Sequence, residues 1–227
     1  MHFMDKHKIQ KALLGHIIEG ISVVIITPLK SAYVSLCAKL EAYEECLIGF
    51  YPNSYFRLEN EMRGMIVLTP QGISSQDIIY AFSDIDVLFY GLGGSLIETI
   101  TIGSIVEVSS AVSTNGVTSP LVETGKFKSV VCGYSPCLLG DEAARYCNEA
   151  VLAGCHVVDM EVVACASAAI KNSVRFTSWL VVSDIPGKIN FYDLNDNLKS
   201  NLSQSRSLII SEIEAYIDTL KYKNSRI

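Results

Sequence analysis

Short, continuous apolar runs, separated by polar segments, recur along the chain. The clearest of them cover residues 23–26, 65–68, 87–90, 130–132 and 179–182. Continuous runs of this length, bounded by Gly, Pro, Ser and Asp, are typical of strands that are covered on both faces. The pattern therefore predicts a buried sheet whose strands are largely parallel.

Segments with helical periodicity lie between these runs. Apolar residues recur at helical spacing in residues 31–43 and again in residues 141–153. Residues 198–221 predict a closing helix packed on the sheet, and its apolar stripe comprises Leu202, Ile209, Ile213, Tyr216 or Ile217, and Leu220. Because strands and helices alternate, we expect an α/β fold.

Two segments depart from this alternation. Residues 105–108 follow a Gly-Ser pair that favours a turn, so this strand is a candidate for an antiparallel position. Residues 111–125 are rich in Ser, Thr, Gly and Pro and predict a long loop. The sequence shows no repeat, linker or low-complexity segment. We therefore expect residues 1–227 to form one domain, in which residues 1–20 are an N-terminal extension.

Composition argues against several classes of protein. The chain is 49% apolar and 19% charged, which is enough to fill a core and argues against disorder. A net charge of −6 argues against nucleic acid or an anionic membrane as a partner. Residues 17–29 are apolar but include Glu19, Gly20 and Pro28, and the segment is too short to span a bilayer. We expect a soluble, cytoplasmic protein.

The cysteines carry no recognisable metal or redox motif. There are seven, at positions 37, 46, 132, 137, 147, 155 and 165, and none forms a Cys-x-x-Cys pair or stands with His at metal-ligand spacing. A nucleophilic cysteine would need a histidine partner, and the residues around Cys132 and Cys137 supply none. We expect small buried side chains in a reducing compartment, and neither a metal nor a cofactor.

Two acidic residues stand where apolar strands end. Asp159-Met160-Glu161 follows an apolar stretch and precedes a segment of small residues, and Ser183-Asp184 follows the last of the apolar runs. In α/β sheets, ligands bind at the carboxyl ends of the strands. Glu161 could accept two hydrogen bonds from a vicinal diol such as that of ribose, or it could cap the following helix. Asp184 could hold a proton and act as a general acid, or it could cap a turn.

A glycine-rich stretch, Gly91-Leu92-Gly93-Gly94-Ser95, follows the run at residues 87–90. It predicts a tight turn whose backbone N–H groups can approach a ligand closely. It is not a dinucleotide-binding fingerprint, because the acidic residue expected at the end of the next strand is not evident. His156, which lies within an apolar stretch, is interpreted as a core residue rather than a catalyst.

Taken together and in order, these motifs resemble the nucleoside phosphorylase and nucleosidase superfamily. The resemblance rests on Asp159-Met160-Glu161 before a helix of small residues, on Ser183-Asp184 about twenty residues later, and on the glycine-rich stretch followed by Ile100-Thr101-Ile102-Gly103. Residues 24–29 look like the first strand of that family. The match runs from about residue 21 to the C-terminus. The size of the chain is closest to that of the 5′-methylthioadenosine/S-adenosylhomocysteine nucleosidases and the futalosine hydrolases.

The resemblance implies a three-layer α/β sandwich around a central mixed, partly barrel-like β-sheet. It also implies cleavage of the N-glycosidic bond of a purine-type nucleoside through an oxocarbenium-like transition state. Because members of the family commonly assemble, it implies a homodimer or a higher homo-oligomer. A small nucleoside would be the partner, with no nucleic acid and no membrane.

The same resemblance assigns roles to individual residues. Met160 and Glu161 would hold the ribose, with Glu161 on the 2′- and 3′-hydroxyls. Asp184 would protonate the base at N7, and Ser183 would orient Asp184. The other substrate-binding residues would be Ser135, Pro136 and Cys137 beside the purine, and Gly91, Leu92 and Gly93 beside the sugar and the nucleophile.

The chain departs from the family pattern where the nucleophile should be handled. Ala32 stands where the nucleosidases have a water-activating glutamate, and Phe89 stands near the position of the phosphate-binding arginine of the phosphorylases. Leu92 replaces a polar residue, Ser104 replaces an aspartate, and Pro136 replaces an aromatic residue that stacks on the base. The sugar and base ends of the site are therefore present in the sequence, whereas the nucleophile end is open.

Three explanations fit this gap. Water is held by backbone groups and by Glu59, Glu61 or Arg63; or a phosphate is bound by Lys30, Arg57 or Arg63; or the scaffold binds a nucleoside with little turnover. We favour hydrolysis, since no phosphate-binding arginine is seen. The alternatives are a nucleoside phosphorylase, a catalytically weak nucleoside-binding protein, and an unrelated α/β protein whose acidic residues are caps.

Overall fold

The computed structural model describes residues 5–58, 62–137 and 139–223. The α-helices in these ranges are α1 (Lys6–Leu14), α2 (Lys30–Lys39), α3 (Gly140–Leu152), α4 (Val162–Lys171) and α5 (Asp196–Lys223). The strands are β1 (Ile21–Thr27), β2 (Tyr43–Cys46), β3 (Asn53–Arg57), β4 (Arg63–Leu68), β5 (Asp86–Ser95), β6 (Ile105–Val112), β7 (Thr118–Pro120), β8 (Lys128–Tyr134), β9 (Val157–Asp159) and β10 (Arg175–Asp184). Short 3₁₀ helices cover Ile73–Ala81 and Phe191–Asp193.

The strands form one mixed sheet that closes partly into a barrel. β5, β10, β6, β8 and β9 pair in this order, and β9 pairs back with β5, so that a closed ring results. From β5 the sheet continues outward through β1, β4, β3 and β2, and β7 pairs with β6. β1, β4, β5 and β10 run parallel, whereas β10 with β6 and β5 with β9 are antiparallel. The expected α/β fold with a mixed, partly barrel-like sheet is confirmed.

The continuous apolar runs form strands because both faces of the sheet are covered. In β1, Val24 and Ile26 belong to one hydrophobic core, whereas Val23 and Ile25 belong to another. α1, α4 and the first 3₁₀ helix contribute buried side chains to the first core, and α2 and α5 contribute to the second. Helices therefore pack on both faces of the sheet, and a polar side chain on either face would be buried.

Two boundaries differ from the sequence expectations. α2 ends at Lys39 rather than near Tyr43, because Glu41 has a φ of +49° and β2 begins at Tyr43. Residues 111–125 are not one long loop, since β6 runs to Val112 and pairs with β7, and Ala111 is buried in the first core. The closing helix is confirmed as α5, and β6 is antiparallel to β10, as expected for residues 105–108.

A buried carboxylate ties the barrel to the segment that follows β7. Glu107 of β6 is fully buried, and its Oε1 accepts from the N–H and the hydroxyl of Thr124 at 2.6 and 2.8 Å. The same carboxylate accepts from the N–H of Gly125 at 2.9 Å and from the indole N–H of Trp179 at 3.1 Å. Trp179 is paired with Glu107 across β6 and β10, and it packs edge-on against Phe127. These donors satisfy the buried oxygens, so that Glu107 holds the two strands and the segment together.

The first residues that the structure describes pack against the sheet. Leu14 at the end of α1 is fully buried in the first core, and the side-chain amide of Gln10 donates to the carbonyl of Ala81 at 2.9 Å.

All seven cysteines are free thiols, and four of them are buried. Among the residues with described positions, no cluster of His, Cys, Asp and Glu could hold a metal ion. No helix within the described ranges is both long enough and apolar enough to cross a membrane.

Candidate active site

Strand ends from β5, β9 and β10 meet at one pocket of about 90 Å³, which the segment after β8 and the helix α3 complete. Its lining includes Leu92, Gly93, Ser135, Cys137, Met160, Glu161, Ser183 and Asp184. Among the residues proposed from the sequence, Gly91 and Pro136 are not part of this lining. The structure thus brings the two acidic motifs and the glycine-rich stretch to a single place, although they are far apart in the sequence.

Asp159, rather than Glu161, caps the helix that begins at this pocket. Its Oδ1 accepts from the N–H groups of Glu161 at 2.7 Å and Val162 at 2.6 Å, at the start of α4. The Glu161 side chain makes no capping hydrogen bond. Glu161 thus occupies the N-cap position of α4 while Asp159 provides the capping hydrogen bonds, so the Glu161 carboxyl is available to the pocket.

Glu161 is held from a segment that the sequence analysis did not single out. The side chain is 4% exposed, and its Oε1 accepts from the backbone N–H of Gly72. Gly72 follows β4 and has a φ of +82°, which glycine adopts without strain. Gln71 beside it also lines the pocket. The sequence contains a signal for this segment, because Pro70-Gln71-Gly72 is a turn sequence at the end of an apolar run, as at the other strand ends.

Asp159 and Glu161 form a coupled acidic pair. Burial raises the pKa of the Glu161 carboxyl, and the negative charge of Asp159 raises it further. Burial also raises the pKa of Asp159, while the N–H groups at the start of α4 lower it. The second oxygen of Asp159, Oδ2, is buried and meets no donor among the described residues unless Glu161 carries a proton. The geometry and the burial therefore favour one proton shared by the two carboxyls.

Asp184 is a buried carboxyl held by its neighbour. The residue is 6% exposed, and the hydroxyl of Ser183 donates to its Oδ1 at 2.6 Å. Burial raises the pKa of Asp184, and the hydrogen bond from Ser183 opposes that rise. A Cβ on Gly94 would lie 3.2 Å from Oδ2 of Asp184, so a glycine in β5 leaves space for the carboxyl. Asp184 can thus hold a proton closer to neutral pH than an exposed aspartate can.

The glycine-rich stretch is not the tight turn that the sequence predicted. β5 continues to Ser95, and its glycines pair with β10 and β9 in extended conformation. A Cβ on Gly93 would lie 3.1 Å from the carbonyl oxygen of Val158, so glycine lets the two strands approach closely here. Gly91 faces Phe89 and Leu180 in the interior, which explains why it does not line the pocket.

The segment after β8 forms another part of the wall. The N–H of Ser135 donates to the carbonyl of Asp159 at 3.0 Å, and its hydroxyl donates to the carbonyl of Cys137 at 2.8 Å. Ala143 and Cys147 of α3 extend this wall. No role in a site was predicted for α3. The helical periodicity of a sequence shows which face of a helix is buried, but it does not show what that face contacts.

A larger cavity of about 690 Å³ adjoins the pocket on the side of Asp184. Both cavities are lined by Ala143, Cys147, Asp184 and Pro186, whereas Met160 and Glu161 line only the smaller one. Ligand sites commonly measure 300–1,000 Å³, and the smaller pocket alone falls below this range. A ligand held by Glu161 would therefore extend past Asp184 into the larger cavity, whose polar lining comprises Asn148, Lys188, Asn190, Asp193 and Asn195.

Of the residues considered for the nucleophile, those that the structure describes do not line the pocket. Ala32 is buried in the second core, and Phe89 is fully buried in the first. Lys30 is exposed, while the guanidinium groups of Arg57 and Arg63 lie over the rings of Tyr43 and Tyr55, at 5.4 and 5.0 Å from the ring centroids. Glu59 and Glu61 lie outside the described residues. No lysine or arginine is found in the lining of the 90 Å³ pocket, as far as the chain is described.

His156 lies outside the pocket lining and has a structural contact. Its Nδ1 accepts from the backbone N–H of Val131 at 3.0 Å, which links β8 to the start of β9. This agrees with its interpretation as a core residue.

Comparison with solved structures identifies the fold. The chain is similar to the 5′-methylthioadenosine/S-adenosylhomocysteine nucleosidase of Campylobacter jejuni, with a TM-score of 0.74 and 11% identity over 88% of this chain and 100% of that one. It is similar to the native futalosine hydrolase of Helicobacter pylori strain 26695, with a TM-score of 0.72 and 14% identity over 88% and 98%. A 5′-methylthioadenosine/S-adenosylhomocysteine nucleosidase of Colwellia psychrerythraea 34H, solved with adenine, gives a TM-score of 0.67 and 16% identity over 85% and 94%.

At these identities the likeness establishes the fold alone. That fold is the one that these nucleosidases and the futalosine hydrolase have, as the resemblance of the sequence motifs implied. No protein-family model and no curated protein sequence matches the chain.

Proposed function

We propose that this protein, which has the fold of the nucleosidases, cleaves the N-glycosidic bond of a purine-type nucleoside by hydrolysis. One observation carries the proposal: two buried carboxyls, Glu161 and Asp184, line the same pocket at the ends of β9 and β10, the two strands that flank β5 in the barrel. Glycosidic cleavage needs stabilisation of a positively charged sugar and protonation of a leaving group. Two carboxyls with different partners suit these two tasks.

In this proposal Met160 and Glu161 bind the ribose. Glu161 is already oriented by Gly72, which leaves its other oxygen for the sugar. A neutral carboxyl accepts from one hydroxyl and donates to another, and an ionised carboxyl accepts from both. In either state it can bind the 2′- and 3′-hydroxyls. The nearby negative charge of the Asp159–Glu161 pair would also favour an oxocarbenium-like sugar.

Asp184 would act on the base. Its raised pKa favours a protonated carboxyl, and the hydrogen bond from Ser183 fixes the orientation of that carboxyl. Transfer of that proton to N7 of the purine would neutralise the departing base. A general acid of this kind contributes about 10²–10⁴-fold in rate. The base would extend toward the larger cavity, beside Ser135 and Cys137.

Water is the proposed nucleophile, because no cationic side chain is found in the described lining of the pocket to hold a phosphate there.

A second candidate function is supported by a specific observation. Since Ala32 offers no carboxyl to activate water, the protein could be a catalytically weak nucleoside-binding protein on the same scaffold. We further propose that the chain forms a single domain, assembles as a homodimer or a higher homo-oligomer, and acts in the cytoplasm.

The test is release of free base. The protein is incubated with adenosine, inosine, 5′-methylthioadenosine and futalosine, with and without phosphate, and the products are separated by chromatography. We expect base release without phosphate, and a loss of about 10²–10⁴-fold in Asp184→Asn, which cannot supply the proton. The matched control is Asp141→Asn, an exposed residue of α3 outside the linings of both cavities, which should retain activity.

Three other outcomes would change the conclusion. Release that requires phosphate would replace hydrolysis by phosphorolysis. Binding of a nucleoside without release would favour the binding protein. Neither binding nor release, with any of the four nucleosides, would overturn the proposal.

A further inference from the structure

A second groove, of about 640 Å³, lies between α2 and α5. Its lining shares no residue with the pocket around Glu161 and Asp184. Hydroxyl groups and positive charges dominate the lining, and its polar members are Ser31, Ser35, Lys39, Tyr90, Ser203, Arg206, Ser207 and Ser211. No acidic side chain belongs to it within the described part of the chain, although the whole protein is acidic.

Tyr90 of β5 supplies the first sign that the groove is built for a ligand. The side chain is fully buried, and its hydroxyl has no hydrogen-bond partner of normal geometry among the described residues. A buried hydroxyl is normally satisfied by protein or by water. Burial raises the pKa of Tyr90 to about 12, although the charge of Arg206 and a contact with the N–H groups of its guanidinium oppose this rise. The hydroxyl therefore stays protonated and can donate to an atom that enters the groove.

Arg206 of α5 supplies the second sign. It is half-buried, and its Nη2 donates to the hydroxyl of Ser31. No carboxylate pairs with its guanidinium in the described ranges, whereas the neighbouring Lys39 is paired with Glu214 at 3.0 Å. The guanidinium thus retains unused donors and an uncompensated charge at the wall of the groove.

The start of α2 adds further donors. Ser31 lies in its first turn, and the residue before the helix, Leu29, makes no side-chain capping hydrogen bond. The N–H groups of that turn therefore have no side-chain partner from the cap, and the helix dipole favours negative charge at this end. This feature supports the site but does not define it; Tyr90 and Arg206 do.

We propose that this groove binds a phosphate group, either as inorganic phosphate or as part of a small phosphate monoester. A tetrahedral oxyanion accepts several hydrogen bonds in different directions, which suits the guanidinium, the Tyr90 hydroxyl and the serine hydroxyls together. The groove is open and is lined by exposed serines. The remainder of a phosphate monoester could therefore project from the bound phosphate into solvent. The site is separate from the nucleoside pocket and does not depend on the function proposed for it.

Isothermal titration of the full chain with inorganic phosphate, and separately with ribose 5-phosphate, tests the proposal. We expect Arg206→Gln to weaken binding at least about tenfold, since it removes the charge, and Tyr90→Phe to weaken it several-fold. Sulfate should compete, whereas chloride at equal ionic strength should not. Tighter binding of ribose 5-phosphate would identify a phosphate monoester as the ligand, and equal binding would identify the free anion.

Matched controls separate the site from general effects of charge or stability. Arg145→Gln and Tyr192→Phe change exposed residues far from this lining and should leave phosphate binding within about twofold. The far-UV circular dichroism and the thermal unfolding of Arg206→Gln should match those of the natural chain, which shows that the variant is folded. The proposal is overturned if phosphate and its ester do not bind at tens of millimolar, if chloride competes equally, or if Arg206→Gln binds as the natural chain does.

Discussion

Asp159 and Glu161 are separated by one residue, yet the fold gives their carboxyls different tasks. Asp159 turns toward the N–H groups at the start of α4, and Glu161 turns toward Gly72 and the pocket. The sequence could show that an acidic motif stands at a strand end. It could not show which acid caps the helix, because that depends on the backbone torsions of the residues between them.

We predict that Glu161→Gln stabilises the protein while impairing nucleoside cleavage. The folded-state pKa of Glu161 is raised, so the folded state holds this proton more tightly than the unfolded chain does. Stability is therefore highest at low pH and is lost as the pH rises from the ordinary carboxyl pKa toward the raised one. Glutamine does not titrate, and its amide can donate to the unsatisfied Asp159 Oδ2. Denaturant unfolding at pH 8 should show a gain of about 1 kcal/mol.

The pH dependence distinguishes this explanation from a general effect. Near pH 4 the variant and the natural chain should unfold at the same denaturant concentration, since Glu161 is then neutral in both states. Glu142→Gln, which changes an exposed glutamate of α3, should show no such divergence. A loss of stability in Glu161→Gln at pH 8 would contradict the shared-proton description.

Ser183 is predicted to set the pH range over which Asp184 acts. Its hydrogen bond favours the charged form of Asp184, so removing it raises the pKa of that carboxyl further. In Ser183→Ala the alkaline limb of the kcat/KM profile should move to higher pH, because the proton is retained longer. The maximal rate should fall about tenfold, because the carboxyl is less well oriented.

Ser178→Ala is the matched control for this profile. Ser178 lies in the same strand, is fully buried, and its hydroxyl has no hydrogen-bond partner in the described structure. Its removal should leave the alkaline limb in place. A limb that moves to lower pH in Ser183→Ala would contradict the role assigned to that hydroxyl.

β5 shows how an element can be misread from its letters. Gly, Leu, Gly, Gly and Ser in a row favour a turn, yet the strand runs through them and pairs on both sides. The glycines leave space because β9, Asp184 and Pro186 approach the strand closely, and those neighbours come from residues 65 to 92 positions later in the chain. A local pattern contains no information on such distant contacts.

α3 packs closely against β8 at another glycine, Gly133. A substitution there tests whether the position of α3 shapes the pocket. A Cβ on Gly133 would lie 2.6 Å from the Cβ of Ala150. Gly133→Ala should therefore push α3 away from the barrel and destabilise the protein by about 1–3 kcal/mol. Since Ala143 and Cys147 of α3 line the pocket, KM for a nucleoside should rise as well.

The double variant Gly133→Ala with Ala150→Gly returns the missing space. It should reverse most of the rise in KM, while Ala150→Gly alone should cost about 1 kcal/mol through helix propensity and leave KM unchanged. Thermal unfolding and steady-state kinetics measure the two effects separately. Equal KM values in Gly133→Ala and the natural chain would show that the position of α3 does not shape the pocket.

For the whole molecule, the sequence pattern predicted the layers of helices and sheet better than it predicted the closure of the sheet into a barrel. Alternating apolar runs and amphipathic segments indicated an α/β fold, because each strand must be covered on both faces. The pairing of β6 with β10 and of β9 with β5 closes the barrel, and this register depends on contacts across the chain. For the same reason Glu161 could be proposed from its motif, whereas its partner Gly72 and the groove at Arg206 required the structure.

Trp179 is the single tryptophan of the chain, and its setting gives the molecule an internal optical reporter. Its indole is fully buried, bonded to Glu107, and stacked edge-on against aromatic rings from the segment after β7 and from α5. Separation of β6 from β10 would expose the indole to water and shift its fluorescence to longer wavelengths. Opening of the barrel can therefore be followed in real time with the unlabelled, natural chain.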